Sequence, residues 1–369
     1  MNKFLLALIV LLLIFNNLTA SGQGEHCPQG QMLVNGECGD GSLSTLKVGW
    51  NKIEPGGETR CAHGDPYSYW VHPGTSNKLL VHFEGGGGCW SYDTCQPGSE
   101  YYDAIIGSNE ISNYQSGIFD LENPENPFSD YTYVFAPVCT GDVHMGNNVE
   151  IYESAGKQLE IYHRGFVNSS AAVEWAYQNL ENPESIFVTG CSAGSVGSIM
   201  FAPYIIDHYK DVPVYQLGDS LAYVFHRPIQ IQTGWRAHDN FAEWIPELGE
   251  IRPGKFTAAR FYSAIANFYP NYTFAQYNSL SDSVQQFYYT AVGGNADNWT
   301  TDLQASLDEI HANSPNFRTY IAGGTLHCIT PRNAFYTYAT NDVRFVDWVR
   351  DLANGVPVED VHCIDCEHP

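Results

Sequence analysis

Five residues, Gly190-Cys191-Ser192-Ala193-Gly194, set a serine between small neighbours, after the run Ile186-Phe-Val-Thr189 and ahead of a helical pattern from Ser195 to Tyr209. A strand, a tight turn and a helix around G-x-S-x-G describe a nucleophile elbow: the strained turn lifts the serine oxygen from the sheet edge, and bulky neighbours would collide with strand and helix. The chemistry this allows is attack of the hydroxyl on an acyl carbon. The five-residue pattern alone recurs by accident; its place between strand and helix selects the nucleophile reading. The helix also turns its positive N-terminal end toward a developing oxyanion.

Acyl transfer needs backbone donors for that oxyanion, one from the residue after the nucleophile and others from a loop after an earlier strand. Ala193 is the first, and Gly86 and Gly87 stand in such a loop, His82-Phe83-Glu84-Gly85-Gly86-Gly87-Gly88-Cys89-Trp90. A phosphate-binding loop would require Gly-Lys-Ser/Thr, which is absent, and a flexible linker would not sit between an apolar strand and Cys-Trp. The base is expected after the last clear strand, where Ile321-Ala-Gly-Gly-Thr-Leu-His327-Cys-Ile supplies a histidine. His311 falls inside a helical pattern and His362 and His368 lie in the tail, so they are weaker choices. For the acid, Asp219 in Gln216-Leu-Gly-Asp-Ser220 and Asp282 in Ser279-Leu-Ser-Asp-Ser-Val-Gln285 both give the chain order Ser, Asp, His. Either would also serve as a helix N-cap, and spacing does not separate them.

These residues must be held by a sheet. Compact apolar runs at Lys78–Phe83, Tyr131–Ala136, Ile186–Thr189, Val214–Leu217, Tyr272–Gln276 and Arg318–Ala322 read as strands. Helical spacing falls between several of them, at Ala171–Leu180, Ser195–Tyr209 and Asp302–His311. Strands alternating with helices imply right-handed crossovers and a mainly parallel α/β sheet flanked by helices. The aromatic, Pro/Gly-punctuated stretch Ile229–Tyr269 interrupts the rhythm, as a cap over the site or a surface insertion. Three parts are expected: a signal peptide over residues 1–20, a Cys-containing extension with hairpins over 21–60, and one catalytic domain over 61–369.

The first part follows from one lysine ahead of an apolar core from Phe4 to Phe15 and a small-residue exit at Leu18-Thr19-Ala20, too short to span a bilayer comfortably. Secretion makes the ten cysteines read as disulfides, with Cys27–Cys38 and Cys89–Cys95 close enough to close small loops. Zinc is the rival for Cys363-Ile-Asp-Cys366, but no second Cys/His pair at ribbon spacing accompanies it. A net charge of −24, from 41 acidic against 17 basic residues, repels polyanions and makes nucleic acid and anionic lipid poor partners. The 24 tyrosines fit a rigid core and could also form walls that stack on sugar rings. Asn168, Asn271 and Asn298 are glycosylation sequons, at a frequency that chance also gives.

Beyond the elbow, the chain resembles the pectin acetylesterase family, to which the Notum carboxylesterases of animals are related. Cys61-Ala-His-Gly-Asp-Pro-Tyr-Ser-Tyr-Trp is similar to the family's Cys-x-x-Gly-x-Pro-x-x-Tyr segment, Phe83-Glu-Gly-Gly to its Leu-Glu-Gly-Gly loop, Val138-Cys-Thr-Gly-Asp142 to its Tyr-Cys-x-Gly turn, and Cys363-Ile-Asp-Cys366 to the tail of its plant members. The resemblance implies an α/β-hydrolase-like fold with Ser192 as nucleophile, His327 as base and Gly86, Gly87 and Ala193 as oxyanion donors. It also chooses the acid: Ser281-Asp282-Ser283-Val284-Gln285 resembles the family's Tyr-Asp-Ser-Trp-Gln, whereas Asp219-Ser-Leu-Ala-Tyr-Val-Phe225 resembles a stretch read as structural or substrate-facing. One departure is Gly-Gly-Gly-Gly-Cys-Trp, where members show Gly-Gly-Gly-Trp-Cys or Gly-Gly-Trp-Tyr-Cys, which shifts Trp90, the expected substrate-facing aromatic.

The function expected is a secreted serine esterase acting on O-acetyl groups of a polysaccharide, pectin first, with no metal or organic cofactor. De-esterified pectin is a polyanion, so the charge of −24 requires either a local basic groove or a neutral substrate such as acetylated xylan or a small ester. The rivals are a deacylase of lipidated protein, as Notum is, and a catalytically inactive hydrolase-fold binding module, which has no need of the complete set of site residues.

Overall fold

A computed structural model describes residues 27–108, 110–222, 233–364 and 366. The signal layout at 1–20 and His368 lie outside them. Among the described residues the main sheet uses eleven strands: β1 (Met32–Val34), β2 (Glu37–Gly39), β3 (Asn51–Glu54), β4 (Tyr69–His72), β5 (Leu79–Phe83), β6 (Thr132–Ala136), β9 (Ile186–Cys191), β10 (Val214–Asp219), β11 (Thr273–Ser279), β12 (Phe317–Ala322) and β13 (Val361–His362). The numbers β7 (Asn148–Ser154) and β8 (Lys157–His163) belong to a separate antiparallel hairpin. Across the sheet the order is β13-β12-β11-β10-β9-β5-β6-β4-β3-β1-β2. From β13 to β6 every pairing is parallel; from β4 outward all are antiparallel.

The apolar runs are continuous because these strands are covered on both faces. Val81, Val134, Val188 and Ile321 point into one hydrophobic cluster, while their neighbours Leu80, Phe135, Phe187 and Tyr320 point into another. Each such side chain contributes about 1.5–3 kcal/mol by leaving water. The first cluster is closed by α1 (Gly165–Asn179), α2 (Ala193–His208), α3 (Ala258–Phe268) and α5 (Trp299–Asn313). The second is closed by α6 (Phe345–Ala353) and the irregular stretch around Ile118, Phe119 and Phe128. Helix α4 (Ser283–Ala291) follows β11.

The chain visits β5 and β6 in one direction across the sheet and β9, β10, β11 and β12 in the other. The reversal lies between β5 and β9, and at such a switch point the diverging connections leave a crevice beyond the carboxyl ends of the strands. The elbow and the glycine loop leave those two strands.

Several expectations shift. Helix α1 starts at Gly165, earlier than Ala171, and the Gly165 amide, one of the first-turn donors without a helical acceptor, donates to Asp142 Oδ2 at 2.7 Å. Burial pushes the Asp142 carboxyl up to about 6. The described part of Ile229–Tyr269 is no surface insertion: Trp235, Phe241, Ile245, Phe256 and Phe261 belong to the main core, and the stretch ends in α3. Its first residues, 229–232, lie outside the described ones. The extension's strands β1 to β3 continue the main sheet, with the β1–β2 hairpin closed by Cys27–Cys38. Cys89–Cys95 and Cys363–Cys366 also pair, which leaves no thiolates there for zinc. Asn168 is buried in α1 and exchanges hydrogen bonds with the Arg60 backbone, so a glycan does not fit there, whereas Asn271 and Asn298 are exposed.

Candidate active site

Ser192 follows β9 directly with φ 54° and ψ −121°, a left-handed backbone that a residue with a Cβ adopts only under constraint. The constraints are visible. The Ser192 amide donates to the Asp219 carbonyl at 2.8 Å, extending the β9–β10 ladder past its end, and Ser195 N closes the first turn of α2 on the Ser192 carbonyl at 2.8 Å. A Cβ on Gly190 would run into the Gly194 carbonyl, and one on Gly194 into the Phe83 carbonyl. The small residues of the elbow therefore let β9, α2 and β5 touch through their backbones.

Across the crevice the loop after β5 brings Gly85 so close that an added Cβ would lie 2.7 Å from the Cys191 carbonyl oxygen and 3.0 Å from Ser192 Cβ. Gly87 has φ 72° and is held in a short antiparallel bridge with Tyr102: Gly88 N donates to Tyr101 O and Asp103 N to Gly86 O, both at 2.9 Å. Among the described residues, no acceptor within the chain takes the amides of Gly86, Gly87 or Ala193. The root of the loop is fixed by His144, whose Nε2 meets the Glu84 carbonyl at 2.8 Å while Nδ1 meets Ser169 Oγ at 2.8 Å. The Glu84 carboxylate is buried, accepting from Tyr114 Oη at 2.7 Å and Val138 N at 3.3 Å, and burial holds it well above the usual carboxylate range.

His327 stands in the loop after β12 and Asp282 at the end of the turn after β11. His327 Nδ1 donates to Asp282 Oδ2 at 2.7 Å, and Asp282 is fully buried. Its other oxygen caps α4, accepting from Val284 N at 2.9 Å and Gln285 N at 3.1 Å, while Gln285 Nε2 adds a bond to Oδ2 at 3.1 Å. Helix cap and imidazole partner are thus one carboxylate: its capping bonds fix the oxygen that faces the ring.

Asp219 also ends a strand but does other work. It is fully buried and accepts from Ser220 Oγ, Ile329 N, Thr330 N and Thr330 Oγ1, at 2.7, 3.2, 2.8 and 2.7 Å. Three of its four bonds hold the segment just after His327 and the fourth goes to the neighbouring Ser220, so in this structure Asp219 is neither bonded to the imidazole nor among the residues lining the cavity. Burial raises its carboxyl despite these bonds.

Ser192, His327, Gly85, Gly86 and Gly87 line one cavity of about 610 Å³, with Glu84, Cys191, Val284, Tyr288 and Arg332 among its other walls. Two features escaped the sequence reading. Cys191 and Cys328 form a disulfide, so the residue before the serine is covalently joined to the residue after the histidine; the signal was their adjacency to Ser192 and His327. Arg332 Nε donates to the carbonyls of His327 and Cys328 at 3.1 and 3.0 Å, bracing the same loop. Trp90 does not line the cavity; the capping box of Ser91 and Thr94 turns its backbone, and its ring meets Tyr101 edge-on with centroids 5.5 Å apart. His311 and His362 both face Thr319, away from the cavity.

A mainly parallel sheet with a serine elbow at its switch point, and a histidine bonded to a buried aspartate on adjoining strand ends, defines a fold of the α/β-hydrolase type. The particular family follows from sequence: the pectinacetylesterase family profile matches residues 53–279, and the chain belongs to that family. Pectin acetylesterase 4 of Arabidopsis thaliana is 26% identical over 168 residues, 43% of this chain and 40% of that protein. Palmitoleoyl-protein carboxylesterase NOTUM of Schmidtea mediterranea is 29% identical over 149 residues, 38% of this chain and 27% of its own length. The matches thus span less than half of these relatives. In structure, the Wnt deacylase Notum from Drosophila superposes with a TM-score of 0.62 at 15% identity, covering 85% of this chain and 95% of that one, a likeness of fold.

Proposed function

We propose that the chain is a secreted serine carboxylesterase that removes O-acetyl groups from a polysaccharide, with Ser192 as nucleophile, His327 as base, Asp282 as the imidazole's partner and Gly86, Gly87 and Ala193 as oxyanion donors. The observation that carries this is the 2.7 Å bond from His327 to fully buried Asp282, in a cavity shared with a serine on a strained elbow. The bond to Asp282 leaves Nδ1 protonated and Nε2 free to take the serine proton as Oγ attacks the ester carbonyl. Asp282 then stabilises the imidazolium. The imidazolium gives its proton to the departing alcohol, and water repeats the sequence on the acyl-enzyme to release a carboxylic acid.

Acetate, rather than a long acyl chain, suits the walls: among the described lining residues the only aliphatic side chains are those of Val284 and Pro331. A lipid chain needs a continuous apolar sleeve. The acetylesterase names of the plant relatives agree with this choice. Secretion is supported by the apolar leader and by five disulfides, bonds that persist in oxidising compartments.

The test is hydrolysis of p-nitrophenyl acetate by the chain from residue 21 onward, produced under oxidising conditions, beside a Ser192→Ala variant. Turnover by the first and not the second supports the esterase; equal background rates from two folded proteins overturn it in favour of a binding module.

A further inference from the structure

The charge of −24 left two possibilities for a sugar substrate, a local basic groove or an uncharged glycan. The cavity walls decide between them. Glu100, Asp103 and Glu110 line the same cavity as Ser192, and Arg332 is the only basic side chain among the described lining residues besides His327. One of the carboxylates also lies against the glycine loop. Asp103 pairs through its backbone with Gly86, and its Oδ2 lies 3.2 Å from where a Gly86 Cβ would stand, against the oxyanion loop itself. Glu110 is anchored beside it, its Oε2 accepting from Gly107 N at 2.7 Å and its Oε1 from Asn113 Nδ2 at 3.3 Å. Arg332, on the histidine side, has its Nε committed to two loop carbonyls.

We propose that Glu100, Asp103 and Glu110 select the alcohol half of the substrate: the ester is carried by an uncharged glycan, and polyuronates are turned away. This rests on the esterase reading above. Each unmasked uronate beside the scissile ester would bring a carboxylate toward three others on an open cleft, a like-charge repulsion that salt weakens. An uncharged pyranose meets no such penalty. Tyr288, half-buried on the same wall, offers an aromatic edge of the kind sugars pack against. The carboxylates can accept hydrogen bonds from the pyranose hydroxyls. A methyl-esterified acetylated pectin, whose carboxyls are masked, falls on the permitted side.

The experiment compares kcat/KM of the chain from residue 21 onward on acetylated xylan, methyl-esterified acetylated pectin and the same pectin after demethylation, at low salt and in 0.5 M sodium chloride. The expected result is at least about tenfold slower acetate release from the demethylated polymer at low salt, narrowing in high salt as charges are screened. A Glu100→Gln/Asp103→Asn/Glu110→Gln variant, each polymer rate divided by its own rate on p-nitrophenyl acetate, should narrow the gap in the same way. If that variant does not fold, Glu100→Gln alone, at an exposed position, and the wild-type salt series carry the test. Equal or faster release from the demethylated polymer, or no release from any polymer, by a protein that hydrolyses p-nitrophenyl acetate overturns this proposal and leaves the esterase standing. Failure on p-nitrophenyl acetate itself overturns the esterase reading and this proposal with it.

Discussion

The two walls of the cavity are built on different plans. One consists of short connections at the ends of neighbouring parallel strands: Ser192 after β9, Asp282 after β11 and His327 after β12. It is tied together by Asp219, Gln285, Arg332 and the Cys191–Cys328 disulfide. The other is a single excursion between β5 and β6, with only short helical turns, stapled within itself by Cys89–Cys95 and bearing Glu100, Asp103 and Glu110. Strand ends hold side chains in fixed register; a long connection can change its residues without moving a strand. The first wall therefore carries the side chains proposed to make and break bonds, while the second carries the glycine backbone proposed to hold the oxyanion together with the acidic residues proposed to read the substrate.

That division makes the two walls respond differently to mutation. On the first, Ser192→Ala should lower kcat on the order of 10⁴-fold or more. Asp282→Asn should lower kcat by about 10⁴-fold with little change in KM, because the amide still caps α4 but turns an N–H toward His327 Nδ1 and selects the wrong tautomer. Melting temperature and steady-state kinetics on p-nitrophenyl acetate separate these effects. A Asp282→Asn protein as active as the parent would remove Asp282 from the chemistry and return the cap as its whole role.

The disulfides give the direct comparison. The Cys191→Ala/Cys328→Ala variant frees the flanks of both reacting residues, and small misplacements of such groups cost up to about 10²-fold. Its kcat should fall by about 10- to 100-fold at nearly constant KM, with roughly 2–5 kcal/mol of stability lost. The Cys89→Ala/Cys95→Ala variant loosens the other wall and should raise KM for polymeric substrates, with a smaller fall in kcat because Cys89 directly follows the glycine loop. Should both pairs act on KM alone, the assignment of the bond-making side chains to the strand-end wall collapses.

What the sequence disclosed follows the same line. The elbow, the glycine loop and His327 were legible because each sits where an uninterrupted apolar strand gives way to small residues, a local signal. The choice between Asp219 and Asp282 was not local. Both are fully buried carboxylates at strand ends, and what separates them is which partner arrives through space, backbone amides of 329–330 or the imidazole. The family likeness, not the spacing, pointed to Asp282. The Cys191–Cys328 pairing, across 137 residues, was hidden in the same way. The hairpin β7–β8 was missed because its alternation of Glu with Ile, Leu and Tyr lacks a long apolar run, and α3 because Pro and Gly precede it.

The smallest effect tests how the glycine loop is rooted. His144 is buried, its ring packed on Gly197 of α2, and it spans from Ser169 to the Glu84 carbonyl at the start of the glycine loop. Burial lowers it from 6.5 to about 4. Between those values the unfolded chain binds a proton that the folded chain refuses, so this contribution is complete above about pH 6.5 and is lost as the pH falls toward 4. The slope is about 1.4 kcal/mol per pH unit while one proton separates the states, or about 3 kcal/mol across the window. Asp142, raised to about 6, works against it over part of the same range and His163, also lowered by burial to about 4, works with it, so the wild-type curve shows only their combined slope. The informative quantity is the change in slope on His144→Gln, from urea unfolding at intervals between pH 4 and 7. Gln can still bridge donor and acceptor but does not titrate, so the slope should fall by one proton while neutral-pH stability falls modestly. An unchanged slope would mean that the imidazole is already protonated in the fold, in which case its Nδ1 donates to Ser169 and the root of the glycine loop is held by a charge.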